Sequence, residues 1–390
     1  MMRKNIFIQW IAIFFMGAFL VANSHYKSSN DDSKYYTALV VRYQNANWQN
    51  ILSPLWGVNY YSYAPNSYMR DQLPGQLMMG VIVSKLGVPA EHALHILEMA
   101  FQILSVFLLV KIAEVFIASD KSSSIYYGVL LTPMAFSYNL RGNHEMGVMF
   151  FCLLSLYAGL KLSKSIFWSL VSIFACVMLL MIKGPFFIFG LILFFVGFYF
   201  SEERAGGKRI FFSLLLSALA VFLTGFLFEY LYVKITGVSF FSEFYKIQIQ
   251  QRAMTNAHKH FFIIQKFLNF YYYFVNYFSY SLPWCLWAFV ELIKNRKNTA
   301  MKFKLNQFLR SRLSLCLLTS AFAFCFVFSL SDRTASRYIF PAYYLFSAWS
   351  VLLVLQISES FQELHKKILR IGVHSVAAFF WFIALVLHFI

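Results

Sequence analysis

Charged residues are scarce in this chain of 390 residues: Asp, Glu, Lys and Arg together make up only 13% of it. An ordinary soluble domain has about a quarter of its residues charged. The chain therefore lacks the side chains that a water-exposed surface needs. In their place it has 60% hydrophobic residues. These form runs of about twenty residues, the length with which a helix crosses a bilayer. The composition predicts an all-α integral membrane protein.

Several functional signatures are also missing. The five cysteines all lie in apolar runs, without CxxC or Cys/His spacing, which argues against disulfides and a thiolate metal site. There is no glycine-rich phosphate loop and no internal repeat, and no connection is long enough to bury a core of its own. We therefore treat residues 1–390 as a single transmembrane domain.

The net charge of +17 could suggest a nucleic-acid-binding protein, but the distribution of basic residues indicates membrane topology instead. With the N-terminus in the cytoplasm, 19 of the 33 Lys and Arg residues fall in inner connections, as the positive-inside rule requires. No nucleic-acid partner is expected. The predicted spans, about eleven in number, are 5–22, 95–117, 124–138, 146–162, 166–182, 185–200, 210–230, 268–292, 312–330, 338–356 and 371–389.

The two long connections, 23–94 and 231–267, both fall on the outer side in this topology. We expect them to form the active-site face. Within the first, Gln76–Leu86 is too short to span the bilayer and predicts a helix lying at the membrane surface. A second short interfacial helix is expected within 239–266.

The charged residues outside the inner connections cluster, and every cluster falls on the outer side. The clusters are Asp31, Asp32, Arg70 and Asp71; Arg141, His144 and Glu145; Lys183; Arg252, His258, Lys259 and His260; and Asp332, Arg333 and Arg337. Acids and bases on one wet face suit an anionic lipid substrate. Its phosphate needs cations, and its reaction needs a carboxylate.

Six short motifs occur in one order along nearly the whole chain. They are Asp31-Asp32-Ser33-Lys34-Tyr35, Asp71-Gln72-Leu73-Pro74-Gly75, Glu145, Lys183-Gly184-Pro185, the segment from His258 to Trp284, and Arg337-Tyr338-Ile339-Phe340-Pro341. This series resembles the GT-C superfamily of polyprenyl-phosphate-sugar glycosyltransferases, in the branch of the lipid A aminoarabinose transferases and protein O-mannosyltransferases. In two places the chain departs from the pattern. Asp32 replaces the usual Glu, and Gln72 stands where the aminoarabinose transferases have a lysine, so Arg70 is expected to contact the donor phosphate instead.

The resemblance implies a GT-C-like bundle in the bacterial inner membrane, with the active site facing the periplasm. It implies that one sugar moves from an undecaprenyl-phosphate-type donor to lipid A, core or another surface glycan, or a protein. The displacement would be inverting, without a covalent enzyme intermediate. Membrane lipids would surround the site.

Residue roles follow from the resemblance and from the chemistry of the side chains. Asp31, Asp32 and Glu145 are the expected catalytic residues, with Asp31 preferred as the base. These three carboxylates could also hold a divalent metal, and hard oxygen ligands suit Mg²⁺ or Mn²⁺. The residues expected to bind the donor phosphate are Arg70, Lys183, Arg333, Arg337, His258 and His260.

Two other functions would share this topology and basic excess: a transporter or flippase of lipid-linked glycans, and a polymerase or ligase of surface polysaccharide. A transporter commonly has ionisable or helix-breaking residues at mid-membrane in both halves of a repeat. This chain has no repeat, and its charges fall at one membrane surface. The pattern favours the transferase.

Overall fold

The computed structural model describes residues 10–11, 14–21, 31–55, 67–70, 72–133, 135, 141–203, 206–246, 262–331 and 334–389. These residues are mostly helical, which confirms the all-α prediction. Residues 14–21 are helical, and the helices after them are labelled α1 (Asp31–Tyr43), α2 (Trp48–Leu52), α3 (Gly75–Lys85), α4 (Ala90–Ala113), α5 (Ser119–Ser122), α6 (Ser124–Leu130), α7 (Glu145–Lys161), α8 (Phe167–Lys183), α9 (Phe187–Phe200), α10 (Gly207–Thr236), α11 (Phe240–Phe244), α12 (Phe262–Tyr280), α13 (Trp284–Lys294), α14 (Thr299–Leu309), α15 (Arg312–Ser329), α16 (Phe340–Ile357), α17 (Glu359–Ile371) and α18 (Val373–Phe389). Two 3₁₀ turns, Gly184–Phe186 and Ser336–Ile339, precede α9 and α16.

Five helical segments in the described part of the chain are long and apolar enough to cross a membrane. They are Ala90–Ala113, Phe167–Phe200 (α8 and α9 taken together), Gly207–Thr236, Arg312–Ser329 and Arg337–Ile357. The protein is therefore a multi-pass membrane protein, whereas the count of about eleven spans stays a prediction. One expected span, 268–292, is interrupted: α12 ends at Tyr280 and α13 begins at Trp284, with Pro283 between them. Proline has no N–H to continue the helical hydrogen bonding.

The described part of the connection 23–94, which is predicted to lie on the outer side, is largely helical rather than an extended loop. It contains α1, α2, α3 and the first turn of α4. The short helix expected over Gln76–Leu86 is present as α3, one residue earlier at each end. Buried Leu39 and Val40 of α1 pack with Leu77 of α3 and Leu94 of α4 in one apolar cluster. This packing holds α1 and α3 against the long helix α4.

Helix α7 lies at the centre of the bundle, packed by α4, α8, α9 and α16. Helices α7 and α9 approach each other closely because a glycine of each helix faces the backbone of the other. A Cβ on Gly159 would lie 2.1 Å from the carbonyl oxygen of Phe194, and one on Gly197 would lie 2.2 Å from that of Leu156. Small residues of this kind let membrane helices approach closely. This packing fixes the C-terminal half of α7 against α9.

Helices α8 and α9 form a hairpin whose turn is Lys183-Gly184-Pro185. Gly184 has φ of +58°, a value that disfavours every residue with a Cβ. A Cβ at Gly184 would also meet the Phe244 ring of α11 at 2.8 Å and Leu73 at 3.6 Å. Segments from both long outer connections therefore touch this turn. Glu229 of α10 positions α11 by accepting hydrogen bonds from the backbone N–H groups of Phe240 and Phe241, both at 3.2 Å.

Candidate active site

Asp32 lies in the first turn of α1, where a carboxylate is favoured by the helix dipole. Its Oδ2 accepts a charge-assisted hydrogen bond from Nη1 of Arg337. Arg337 belongs to the 3₁₀ turn that leads into α16. The two side chains are only 20% and 34% exposed, so the ion pair is partly shielded from water. This pair joins the first and last of the predicted outer motifs.

Glu145 begins α7 and is buried, with 3% exposure. Its Oε2 accepts a hydrogen bond from the backbone N–H of His144 at 3.3 Å. The preceding residue, Asn143, accepts through Oδ1 from the Ser33 hydroxyl at 3.2 Å. Since Ser33 follows Asp32 directly, this hydrogen bond ties the start of α1 to the start of α7.

Lys183 ends α8 at the hairpin turn. Its Nζ lies 5.0 Å from the centroid of the Phe186 ring and 6.0 Å from that of Tyr338, distances typical of cation–π contacts. It also interacts electrostatically with Glu145, Arg337 and Asp32. Two acids and two cations from four separate segments therefore meet at one place. We call Asp32, Glu145, Lys183 and Arg337 the charged cluster.

Gln72 and His144 lie beside the charged cluster. The Gln72 amide accepts through Oε1 from the Tyr36 hydroxyl and donates through Nε2 to the carbonyl of Ile182 at 3.3 Å. The same Nε2 lies 3.0 Å from Nδ1 of His144. Burial lowers the pKa of His144 well below its usual range, and the positive charges of Lys183 and Arg337 lower this pKa further. The opposing effect of Asp32 is the smallest, so the surroundings of His144 favour the neutral imidazole.

No family model and no curated protein matches the sequence, but solved structures do match the fold. The structure of ArnT from Cupriavidus metallidurans bound to undecaprenyl phosphate matches with a TM-score of 0.65 and 14% identity, over 97% of this chain and 76% of that one. Its apo structure matches equally well, over 100% and 76%. The chain shares its fold with ArnT. The Archaeoglobus fulgidus oligosaccharyltransferase, solved with Zn and sulfate, has a TM-score of 0.54 and 15% identity, and matches over 96% of this chain and 53% of its own length.

The residues predicted to form the GT-C site fall into three groups. Asp32, Glu145, Lys183 and Arg337 come together, as described above. Arg70 follows the Leu55–Tyr68 bridge and interacts electrostatically with Tyr232; within the described residues it makes no ion pair with Asp32 or Glu145. Arg333, His258, His260 and the Asp31 side chain lie outside the described residues, as does Asp71. The functional roles of all these residues stay predictions.

Glu98 is the residue that the sequence analysis missed. It lies inside the apolar α4 with 2% exposure. Its carboxylate accepts hydrogen bonds from the backbone N–H groups of Met146 at 2.8 Å and Gly147 at 3.3 Å, and from Gln76 Nε2 at 3.1 Å. Glu98 thus satisfies N–H groups that the first turn of α7 leaves without a partner. An acid within a predicted span was the available signal, since such residues are costly and tend to be functional.

The metal prediction named Asp31, Asp32 and Glu145. Among the described residues, no group of three or more His, Cys, Asp or Glu side chains gathers at one place. The carboxylate of Asp32 is bound by Arg337, and that of Glu145 by the His144 backbone. Because the Asp31 side chain is not among the described residues, metal dependence stays a prediction.

Proposed function

We propose that the protein is a membrane glycosyltransferase that takes its sugar from a polyprenyl-phosphate donor. The observation that carries the proposal is the charged cluster, in which Lys183 and Arg337 lie together with Asp32 and Glu145 in a GT-C fold. The neighbour that matches 97% of this chain was solved with undecaprenyl phosphate bound, which supports a lipid phosphate as the donor's carrier. The acceptor would be lipid A, core or another surface glycan, or a protein.

The charges of the cluster suit this reaction. The acceptor O–H attacks the anomeric carbon while the bond from that carbon to the phosphate oxygen breaks. The oxygen leaves with the electron pair as polyprenyl phosphate, and the acceptor proton passes to a carboxylate. Lys183 and Arg337 would stabilise the charge that develops on the departing phosphate. Asp32 holds the guanidinium of Arg337 in position.

We infer that Asp31, in the same first turn of α1 as Asp32, is the proton-accepting carboxylate. The ion pair with Arg337 engages the carboxylate of Asp32, which disfavours Asp32 itself as the base. The working face would be the periplasmic side of the bacterial inner membrane. There the donor lipid is embedded in the bilayer and the acceptor is reached from water. Residues 1–390 would act as one catalytic domain.

The experiment combines cells and purified protein. Mass spectrometry of surface glycolipids, from cells with and without the gene, should show one additional sugar mass that depends on the gene. The purified enzyme should transfer that sugar from a synthetic polyprenyl-phosphate donor. Unchanged envelope glycans, together with no turnover of any lipid-phosphate sugar, would refute the proposal.

Asp31→Asn tests the base. It keeps the shape of the side chain and removes the charge, so transfer should fall about 10²–10⁴-fold while donor binding persists. Asp120→Asn, at the start of α5, is the matched control and should transfer normally. Full activity of the Asp31→Asn enzyme would rule out Asp31 and move the assignment to Asp32 or Glu145.

A further inference from the structure

The side-chain amide of Gln72 can adopt only one of its two orientations. Its nitrogen lies 3.3 Å from the carbonyl oxygen of Ile182, a group that only accepts hydrogen bonds. Rotating the amide by 180° would place two oxygens against each other there. The amide oxygen then faces the Tyr36 hydroxyl, which donates to it. The group that meets His144 is therefore an N–H donor.

This orientation determines the tautomer of His144. The Nδ1 atom, 3.0 Å from the Gln72 nitrogen, must accept the hydrogen bond and so bears no proton. A neutral imidazole has one N–H, so the proton of His144 is on Nε2. Within the described residues, Nε2 makes no hydrogen bond of its own.

The ring lies beside the charged cluster, where both cations, Lys183 and Arg337, act on it electrostatically. A third buried positive charge beside two others would be costly. A neutral N–H adds a hydrogen bond to an anion without adding charge. Phosphate oxygens are acceptors only, so an N–H is the complementary group.

We propose that His144 donates a hydrogen bond from Nε2 to the phosphate group of the lipid donor, and that Gln72 holds it in the donating tautomer. The proposal rests on the proposed function and assigns the donor's phosphate a third ligand. His144 is then a binding residue, and Gln72 is a positioning residue that acts through it.

Two substitutions at His144 separate the two ring nitrogens. In His144→Asn, the side-chain amide reaches only as far as Nδ1, so it can still meet Gln72 but lacks the Nε2 donor. In His144→Gln, an amide N–H reaches the place of Nε2. Affinity for undecaprenyl phosphate should fall about 10- to 100-fold in His144→Asn, the loss expected for one hydrogen bond to a charged group. His144→Gln should recover most of that loss.

Ligand controls identify the phosphate as the group that is recognised. Polyprenol, which lacks the phosphate, should bind the wild type and His144→Asn equally. Inorganic phosphate alone should compete weakly and lose the same factor, because it shares the headgroup but lacks the lipid. His365→Asn, a second buried and hydrogen-bonded histidine outside the cluster, is the control for folding. It should keep wild-type affinity.

A measurement independent of activity tests the tautomer. Nitrogen-15 NMR of histidine-labelled wild-type protein in bilayers, with the His144 signals assigned by their loss in His144→Asn, should show a protonated Nε2 and an unprotonated Nδ1. A protonated Nδ1, or equal affinities of His144→Asn and wild type, would overturn the inference while leaving the proposed function intact. Failure of the wild type to bind any polyprenyl phosphate would overturn both.

Discussion

Arg337 binds Asp32 in the structure and is also proposed to bind the donor phosphate. Both ends of the ion pair are partly buried, so a variant that removes one partner leaves the other charge poorly solvated. Asp32→Asn and Arg337→Gln should each lower donor affinity about tenfold or more. The double variant should bind the donor no more weakly than the single variant with the lower affinity, because the effects of substitutions at two contacting residues are not additive.

Donor titrations of all four proteins measure this coupling. Glu363→Gln, which breaks an exposed pair with Lys366, is the control and should have little effect, as exposed pairs contribute about 0–1 kcal/mol. Strictly additive losses in the Asp32 and Arg337 variants would show that the two residues act independently.

Some residues of the site could be predicted from the sequence, and others could not. Asp32, Glu145, Lys183 and Arg337 could be predicted because charges are rare in an apolar chain and must be solvated or paired. Glu98 and Gln72 could not be assigned their roles. Each acts through backbone groups of a distant segment, Met146 and Ile182, and no local pattern specifies such a partner.

At the scale of the structural elements, the α8–α9 hairpin turn offers a sharp test. Gly184→Ala puts a Cβ at φ of +58° and 2.8 Å from the Phe244 ring. The left-handed conformation costs a residue with a Cβ about 1–2 kcal/mol. The crowding should also displace the neighbouring Lys183. We expect both a lower unfolding temperature and a several-fold higher KM for the donor.

Gly237→Ala is the matched control for this variant. Gly237 also has a positive φ, +73°, but a Cβ there would meet nothing within 4 Å. It should lower the unfolding temperature by a similar step without changing KM. If both variants raise KM equally, the Gly184 turn has no special part in positioning Lys183.

Helix α17 is held to the bundle by His365. Its Nε2 donates to the carbonyl of Asp120 at 2.8 Å, and its Nδ1 accepts from the Tyr127 hydroxyl at 2.7 Å. This arrangement needs the neutral ring, and burial lowers the pKa of His365 in the folded protein. As the pH falls below about 6.5, the unfolded state takes up the proton first. The stability contributed by this histidine is therefore present at neutral pH and lost on acidification.

Thermal unfolding of the wild type and of His365→Gln should reveal this dependence. At pH 7.5 the variant should be less stable by about 1–3 kcal/mol, the cost of a lost buried hydrogen bond. At pH 5.5 the difference should narrow, because only the wild type carries the titrating group. A difference that does not change with pH would show that His365 is not linked to stability through its protonation.

The helices that could be predicted from the sequence are those formed by long apolar runs. The segments 166–182 and 312–330 match α8 and α15 within one residue at each end. Helix α1 was missed because its mixed polar composition was taken for a loop. Its acids in the first turn and Arg42 in the last are nevertheless the charge pattern of a helix. The break at Pro283 was missed because the apolar composition of the whole segment 268–292 predicted one continuous span.

At the scale of the whole molecule, polar contacts between distant segments can be compared with the predicted membrane sides. The charged cluster joins only segments assigned to the outer side. Two further hydrogen bonds join segments that are both assigned to the inner side: Ser358 donates to Glu291 at 3.2 Å, and Arg209 donates to the Ser163 carbonyl at 3.3 Å. For the four residues of the charged cluster to share one side of the membrane, the chain must cross the membrane an even number of times between each of them and the next. The predicted order of spans has that property.

The orientation of the chain can be measured directly. If the N-terminus is cytoplasmic and the spans number about eleven, a reporter fused after Ile390 should report from the periplasm, and one fused after Asn298 from the cytoplasm. The inner position of Asn298 follows from the basic residues in and around α14.

Cysteines introduced at Ser242, beside the hairpin turn, and at Ser360 should be labelled by an impermeant reagent from opposite sides of the membrane. Labelling of both from one side would show that the three predicted crossings between Ser242 and Ser360 are miscounted, and the predicted topology would then be wrong.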